Sequence, residues 1–336
     1  MTNKEWIKDV LSHKENLKVP YNFAFTPVSL RAACEHYGEG IEEILNLPIR
    51  LIGPVSIKPL FADPDVFGDL APDEFGVTWS TNKIDRGSPI PCLPEPDLKG
   101  YSFPDPGDAY RFDGLDLWCE NNKDNFTMIA GGDLWERAVF MRGMQELLLD
   151  LHLNPAFVHE LLRSIADYIL ETMRILFEKF NFDAVFVSDD YGMQNSMMMS
   201  PESWREFVKP YLSEIYSFAK ANGRAITHHS CGYIYPIIPD LIDIGLDILH
   251  PIQPEAMDIY ALKREFGKDL TLNGGVNTQR LLPYGTESEI REEVKRLKDE
   301  MGKGGGYILE PGITILADVP QKNMIAMIDE AIRDYY

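Results

Sequence analysis

From residue 183 onward the chain repeats one pattern: a short apolar run, a polar ending, then a stretch of helical periodicity. The runs are FDAVFVSDD (182–190), RAITHHSCG (224–232), LDILHPIQP (246–254), LTLNGGVN (270–277) and GYILEPGI (306–313). Continuous apolar runs suit strands buried on both faces, and strands alternating with helices pair in parallel. The clearest intervening helix is SPESWREFVKPYLSEIYSFAKANG, with Ser200 placed to cap it, Pro201 at its first position and Gly223 at its stop. Two earlier runs, KVPYNFAFT (18–26) and FTMIAGG (126–132), precede helices expected near Pro27 and Asp133. Five units after two or three make about eight strands, which closes an α/β (β/α)8 TIM barrel. An open doubly wound sheet is the alternative, but no GxGxxG turn follows an early strand.

One segment breaks the pattern. Residues 54–125 are rich in Pro, Gly, Asp and Trp and contain EFGVTWSTNKI and RGSPIPCLPEPDLKGYSFPDP, which read as a hairpin and an extended excursion. We expect an inserted, partly β and partly irregular segment near the barrel mouth, within a single domain spanning 1–336. Lys and Arg total 32 against 53 Asp and Glu, a formal charge of -21, so nucleic acid and anionic membranes are repelled. The charged N-terminus lacks a signal-peptide core and no run reaches a membrane span, so a cytoplasmic location is expected. The four cysteines, Cys34, Cys92, Cys119 and Cys231, form no CxxC pair and outline neither a disulfide scaffold nor a zinc ribbon.

A parallel barrel places its chemistry at the carboxyl ends of its strands. Five successive ends here are polar: Asp189 and Asp190, then His228 to Cys231, His250 and Gln253, Asn273 to Asn277, and Glu310. His229 and Cys231 are two apart, so on an extended backbone they point the same way and can hold one ion, whereas His228 faces the other side. A His-x-Cys pair alone is equally a hydrogen-bonded histidine beside a buried cysteine, and Asp189-Asp190 can serve as the cap of the following turn. Gly274 and Gly275 allow either close approach of a ligand or a tight turn. GKGGGYI (302–308) precedes a strand instead of opening a helix, so it is not a P-loop, and no GxSxG elbow appears.

The order of DDYGMQNSMMMSPESWREFVKPYL, HHSCGYIYPIIPDLIDIGLDILHPIQP, NGGVNTQRLLPYGT and GGGYILEPGITILADVPQKNMIAM resembles the uroporphyrinogen decarboxylase superfamily. WERAVFMRGMQELLLD and VPYNFAFTP extend the resemblance over nearly the whole chain. The decarboxylases themselves carry an arginine-rich RQAGRY-like segment, absent from VPYNFAFTPVSLRAACEHYG. A second branch holds methyltransferases of corrinoid-dependent systems, with zinc on His-x-Cys and a distant Cys after the last strand. His229 and Cys231 match the first part; Pro311-Gly312-Ile313 stands where the second thiolate would be.

The resemblance thus implies a zinc-dependent methyltransferase, O-demethylase-like, that takes a methyl group from a small methylated substrate such as an aromatic methyl ether. The acceptor is cobalt on a separate corrinoid-binding protein, since no DxHxxG motif is present. Expected metal ligands are His229, Cys231 and Glu310, with Gln253, His250 or Asp190 as alternatives for the third and water or substrate in an open position. Asp190, Tyr191, Glu310 and Asn273 are the expected catalytic residues, and Gln253, Met193, Met198 and His228 the expected substrate contacts. Transfer from methylcobalamin to a thiol such as coenzyme M, and a metal-free decarboxylase-like lyase, stay open. The oligomeric state is open too, with a homodimer among the options.

Overall fold

The computed structural model describes residues 1–15, 18–84 and 86–333. Ten strands are named in chain order: β1 (Ile49–Ile52), β2 (Leu70–Pro72), β3 (Thr78–Ser80), β4 (Pro89–Ile90), β5 (Phe126–Gly132), β6 (Ala184–Ser188), β7 (Ala225–His229), β8 (Ile248–Ile252), β9 (Thr271–Val276) and β10 (Tyr307–Pro311). Seven of them form one all-parallel sheet in the order β1-β5-β6-β7-β8-β9-β10. Residues 20–26 run alongside β10 as the eighth stave, bridging at Tyr21–Leu309 and Phe25–Ile315. The architecture is the expected (β/α)8 barrel.

Two staves differ from expectation. The 18–26 run pairs only at isolated bridges because Pro20 has no N–H to give to a ladder, and its Asn22 to Ala24 line a cavity instead. β1 was not foreseen: it is four residues long, flanked by Pro48 and Pro54, with Arg50 in its middle. Arg50 is buried, and its guanidinium donates to the backbone carbonyls of Leu47 and Glu42, which replaces the solvation it loses. No ladder joins the 20–26 stave to β1 among the described residues, and the cavity opens there. The helix read over 200–223 is two, Pro201–Phe207 and Lys209–Ala221, interrupted where Pro210 withdraws an N–H.

The 54–125 excursion is part of the crossover from β1 to β5; its Asp85 lies outside the described residues. It contains the antiparallel sheet β2-β3-β4 and a helix, Leu115–Asn121, just before β5. Asp73 organises it. One carboxylate oxygen accepts the N–H groups of Phe75 and Val77, and the other accepts from Trp79 Nε1 and from Arg137, both at 3.0 Å. Arg137 belongs to the barrel helix Trp135–Arg142, so this carboxylate ties the excursion to the mouth.

At the mouth, the loops after β6 and β7 cross at two glycines. A Cβ on Gly192 would lie 2.5 Å from the Cys231 carbonyl oxygen, and one on Gly232, at φ +80°, would lie 2.5 Å from the Gly192 carbonyl carbon. Gly223 shares the positive φ, +73°, but has open space around it. We therefore expect Gly223→Ala to cost about 1–2 kcal/mol, the left-handed penalty alone. Gly232→Ala adds a backbone collision, and thermal unfolding of the two variants should show the larger loss for Gly232→Ala.

Candidate active site

Parity along β7 sends its two histidines to opposite layers. His228 points outward into the helices, where Nδ1 lies 2.7 Å from the Tyr216 hydroxyl and the ring stacks on Tyr191 at 5.4 Å. Burial, then neighbouring His229, lowers its pKa to about 3, so it stays neutral. His229 points into the mouth. Register places it beside Ser188 of β6 and His250 of β8, in a row across three strands.

Around His229 the ligand atoms of three residues, Asp190, His229 and Cys231, fall within 4.8 Å of one another. His229 Nε2 is 3.4 Å from Cys231 Sγ and 3.5 Å from Asp190 Oδ1. The same Asp190 oxygen accepts the Cys231 N–H at 2.7 Å, which holds the β6 and β7 loops in fixed relation. On its far side, His229 Nδ1 is 2.9 Å from His250 Nδ1, and His250 Nε2 is 3.7 Å from Glu310 Oε2. If His250 directs its Nε2 proton at Glu310, its Nδ1 must accept, and His229 must carry its proton on Nδ1. That tautomer leaves the Nε2 lone pair of His229 free among the thiol and the carboxylate, as metal ligation requires.

The surroundings are buried and acidic. Burial, reinforced by the negative charges of Asp190 and Glu136, raises the Cys231 thiol well above its ordinary value. Burial lowers both His229 and His250. Glu310 is pushed up to about 7 by burial. Glu136, on the helix after β5, is pushed up to about 9 by burial and by Asp190, Asp133 and Asp189, against the opposing pull of Arg86.

A cavity of about 860 Å³ lies over these groups, walled by Phe23, Phe25, Leu51, Phe61, Met128, Phe186 and Ile313 and reached by Asp190, His229, Cys231, His250, Asn273 and Glu310. Of the expected site residues, Asp190, His229, Cys231, Asn273 and Glu310 meet here. Glu310 stands outside the three-ligand group, because His250 comes between it and His229; Asp190 takes that place. The Asn273 Oδ1 is buried without a hydrogen-bond partner.

The other expected contacts lie off the cavity. Tyr191 is wholly buried, its hydroxyl donating to Asp189 at 2.9 Å. Gln253 accepts the Gly232 N–H and donates to the Gly312 carbonyl, tying the loops after β7 and β10. Met193 is exposed outside the cavity, Met198 is half-buried beside Tyr191, and His228 belongs to the helix layer. Asp189 caps neither its own turn nor a ligand: it accepts the Glu136 N–H at the start of the neighbouring helix. Gly274 and Gly275 give room to Ile252 and the Tyr307 hydroxyl, so their approach is strand to strand.

Three cavity residues escaped the sequence reading. Glu136 lies just beyond the polar end of β5 in GGDLWER, a strand end to which the rule applied downstream extends equally well. Asn22 donates to Glu310 at 3.3 Å from a run read only as a strand, and Arg86 sits in the irregular excursion, where no periodicity locates it.

The chain can be set beside known proteins at this point. The family model for Uroporphyrinogen decarboxylase (URO-D) matches residues 110–335. The uroporphyrinogen decarboxylase of Pseudoalteromonas translucida is 27% identical over 305 residues, covering 84% of this chain and 79% of that protein. That of Psychromonas ingrahamii is 24% identical over 258 residues, covering 72% and 68%. Among solved structures, a methyltransferase from Methanosarcina mazei superposes over 100% of both chains with a TM-score of 0.72 at 19% identity, a likeness of fold. No helix among the described residues is long and apolar enough to cross a membrane. Matched over well more than half its length by that family model, with the barrel that goes with it, the chain belongs to the uroporphyrinogen decarboxylase family.

Proposed function

We propose that this protein is a zinc-dependent methyltransferase that removes the methyl group of a small aromatic methyl ether and passes it to the cobalt of a separate corrinoid protein. The observation that carries the reading is the convergence of Asp190, His229 and Cys231 at the floor of a largely apolar cavity. An imidazole nitrogen, a thiol and a carboxylate oxygen form the donor set that zinc takes in catalytic sites, with a fourth position left for water or substrate. The surroundings fit as well. The thiol lies among acids that disfavour its ionisation, and a divalent cation reverses that balance and makes the thiolate the stable form.

Zinc held there supplies Lewis acidity toward an ether oxygen. The chain's own groups do the rest. His250 and Glu310 hold His229 in the ligating tautomer. Glu136 faces the cavity, placed to pass a proton toward an oxygen that is losing its methyl group. Asn273 hydrogen-bonds Glu310 at the cavity wall, and Phe23, Phe61 and Phe186 exclude water around an aromatic ring.

The decarboxylase relatives suggest a second reading, which the cavity disfavours. Among its described lining residues Arg86 is the single Lys or Arg, facing Glu39, Glu42, Glu43, Glu136, Asp190 and Glu310. An octacarboxylate tetrapyrrole requires the opposite balance. Transfer to a thiol lacks its second thiolate, since Ile313 lines the wall with an apolar side chain.

Elemental analysis of the purified protein should find about one zinc per chain, with little left in His229→Ala, Cys231→Ala or Asp190→Ala. A full complement in the His229 and Cys231 variants would remove the metal from the mechanism. Glu310→Gln should still bind zinc, about 10- to 100-fold more weakly in a chelator competition, because it acts on the ligand's support. Zinc-loaded protein mixed with a methoxybenzene derivative and free cob(I)alamin should form methylcob(III)alamin, followed by absorbance. Release of carbon dioxide from uroporphyrinogen without that signal would favour the decarboxylase.

A further inference from the structure

A second chamber of about 370 Å³ lies under the excursion and shares Leu51, Leu60, Arg86, Glu136, Phe186 and Ser188 with the main cavity. On its wall stands Lys58, only 6% exposed, with Nζ 4.5 Å from the centroid of the Trp79 ring. No carboxylate lies within ion-pairing distance of Nζ among the described residues. A buried ammonium with no ion-pairing partner is costly, and burial pulls the Lys58 pKa down against the attraction of Asp73.

The nearby acids are engaged elsewhere. Asp73 and Asp133 pair with Arg137 at 3.0 and 3.4 Å, and Glu74 pairs with Arg111 at 3.2 Å. Arg86 stands at the junction of the two chambers, 3.8 Å from Glu136. The net result is a buried cation on an aromatic floor, opening toward the Asp190–His229–Cys231 end of a shared space.

We propose that Lys58, seated on Trp79 and assisted by Arg86, is a subsite for the carboxylate of the substrate, which makes that substrate a methylated aromatic acid rather than a neutral ether. The assignment deepens the methyltransferase reading and rests on it for where the methyl group lies. A carboxylate's single negative charge matches the one buried ammonium, whereas a dianion such as an aryl phosphate brings twice that charge.

The test is equilibrium binding by calorimetry with benzoate and benzamide, probes that carry no methyl group and report the subsite whether or not transfer occurs. Benzoate should bind at least about tenfold more tightly than benzamide to the zinc-loaded protein. Lys58→Met should abolish the preference and Lys58→Arg should keep most of it. Equal affinities, no measurable benzoate binding, a preference that survives in Lys58→Met, or tighter binding of phenyl phosphate would each overturn the proposal. If the Lys58 variants fail to fold, the wild-type comparison is repeated on zinc-free protein, where no metal takes the carboxylate, and loss of the benzoate preference there would overturn the proposal. A benzoate preference without methylcob(III)alamin formation from 4-methoxybenzoate would leave the subsite standing and retire the methyltransferase reading.

Discussion

The hydrogen bond from the Cys231 N–H to Asp190 Oδ1 is the contact on which the site depends. It joins loops that leave two different strands, and it keeps the carboxylate beside the imidazole and the thiol, their ligand atoms within 4.8 Å of one another. Such a bond needs the two backbones closer than side chains allow, which is why Gly192 and Gly232 stand where they cross. Behind this contact, Asp189 caps the helix that carries Glu136, and Gln253 ties the loop after β7 to the one after β10. Each polar side chain at the mouth is therefore held by a neighbour from another βα unit, and the geometry belongs to the barrel rather than to any single loop.

That frame is loaded with acid. Five carboxyl groups, of Asp133, Glu136, Asp189, Asp190 and Glu310, gather at the mouth with Arg86 on the same cavity wall. Burial raises Asp189 and Glu310 to about 7 and Glu136 to about 9, which measures how poorly the protein alone accommodates the charge. A structural role explains Asp189, whose oxygens receive a helix N-terminus and the Tyr191 hydroxyl. Asp190 accepts the Cys231 N–H with the same oxygen that faces the His229 imidazole. The proposed zinc site rests on this grouping of an imidazole, a thiol and a carboxylate within 4.8 Å of one another.

Much of this was legible in the sequence, and the physical reasons divide what was from what was not. The apolar runs with polar endings announced β6 to β10 because each run is buried on both faces and interrupted only at its mouth end. The separation of His228 from His229 followed from the period of two alone. β1 stayed hidden because a four-residue strand carrying Arg50 has neither length nor apolar continuity, and only tertiary carbonyls make that arginine acceptable. Asp190 rather than Glu310 completes the donor set for a reason of spacing around the barrel: β6 adjoins β7, whereas β10 is three strands away with His250 between. Because the strands are wound in chain order, that adjacency can be read from the sequence once the barrel is recognised.

The excursion is where sequence periodicity says least, and it is also where this barrel differs most in consequence. The strand ends contribute acids and metal-type ligands, while the basic side chains that meet the shared space, Lys58, Arg86 and Arg137, come from the excursion or from the helix it is tied to by Asp73. A barrel with this floor can serve several chemistries; which molecule enters is decided by the charge set above it. Arg137 is paired with Asp73 and Asp133, so its role is to hold the excursion in place, and the proposed carboxylate subsite rests on Lys58. Selectivity and chemistry thus sit on different parts of the chain, and the Asp73–Arg137 pair is the joint that brings them into one space.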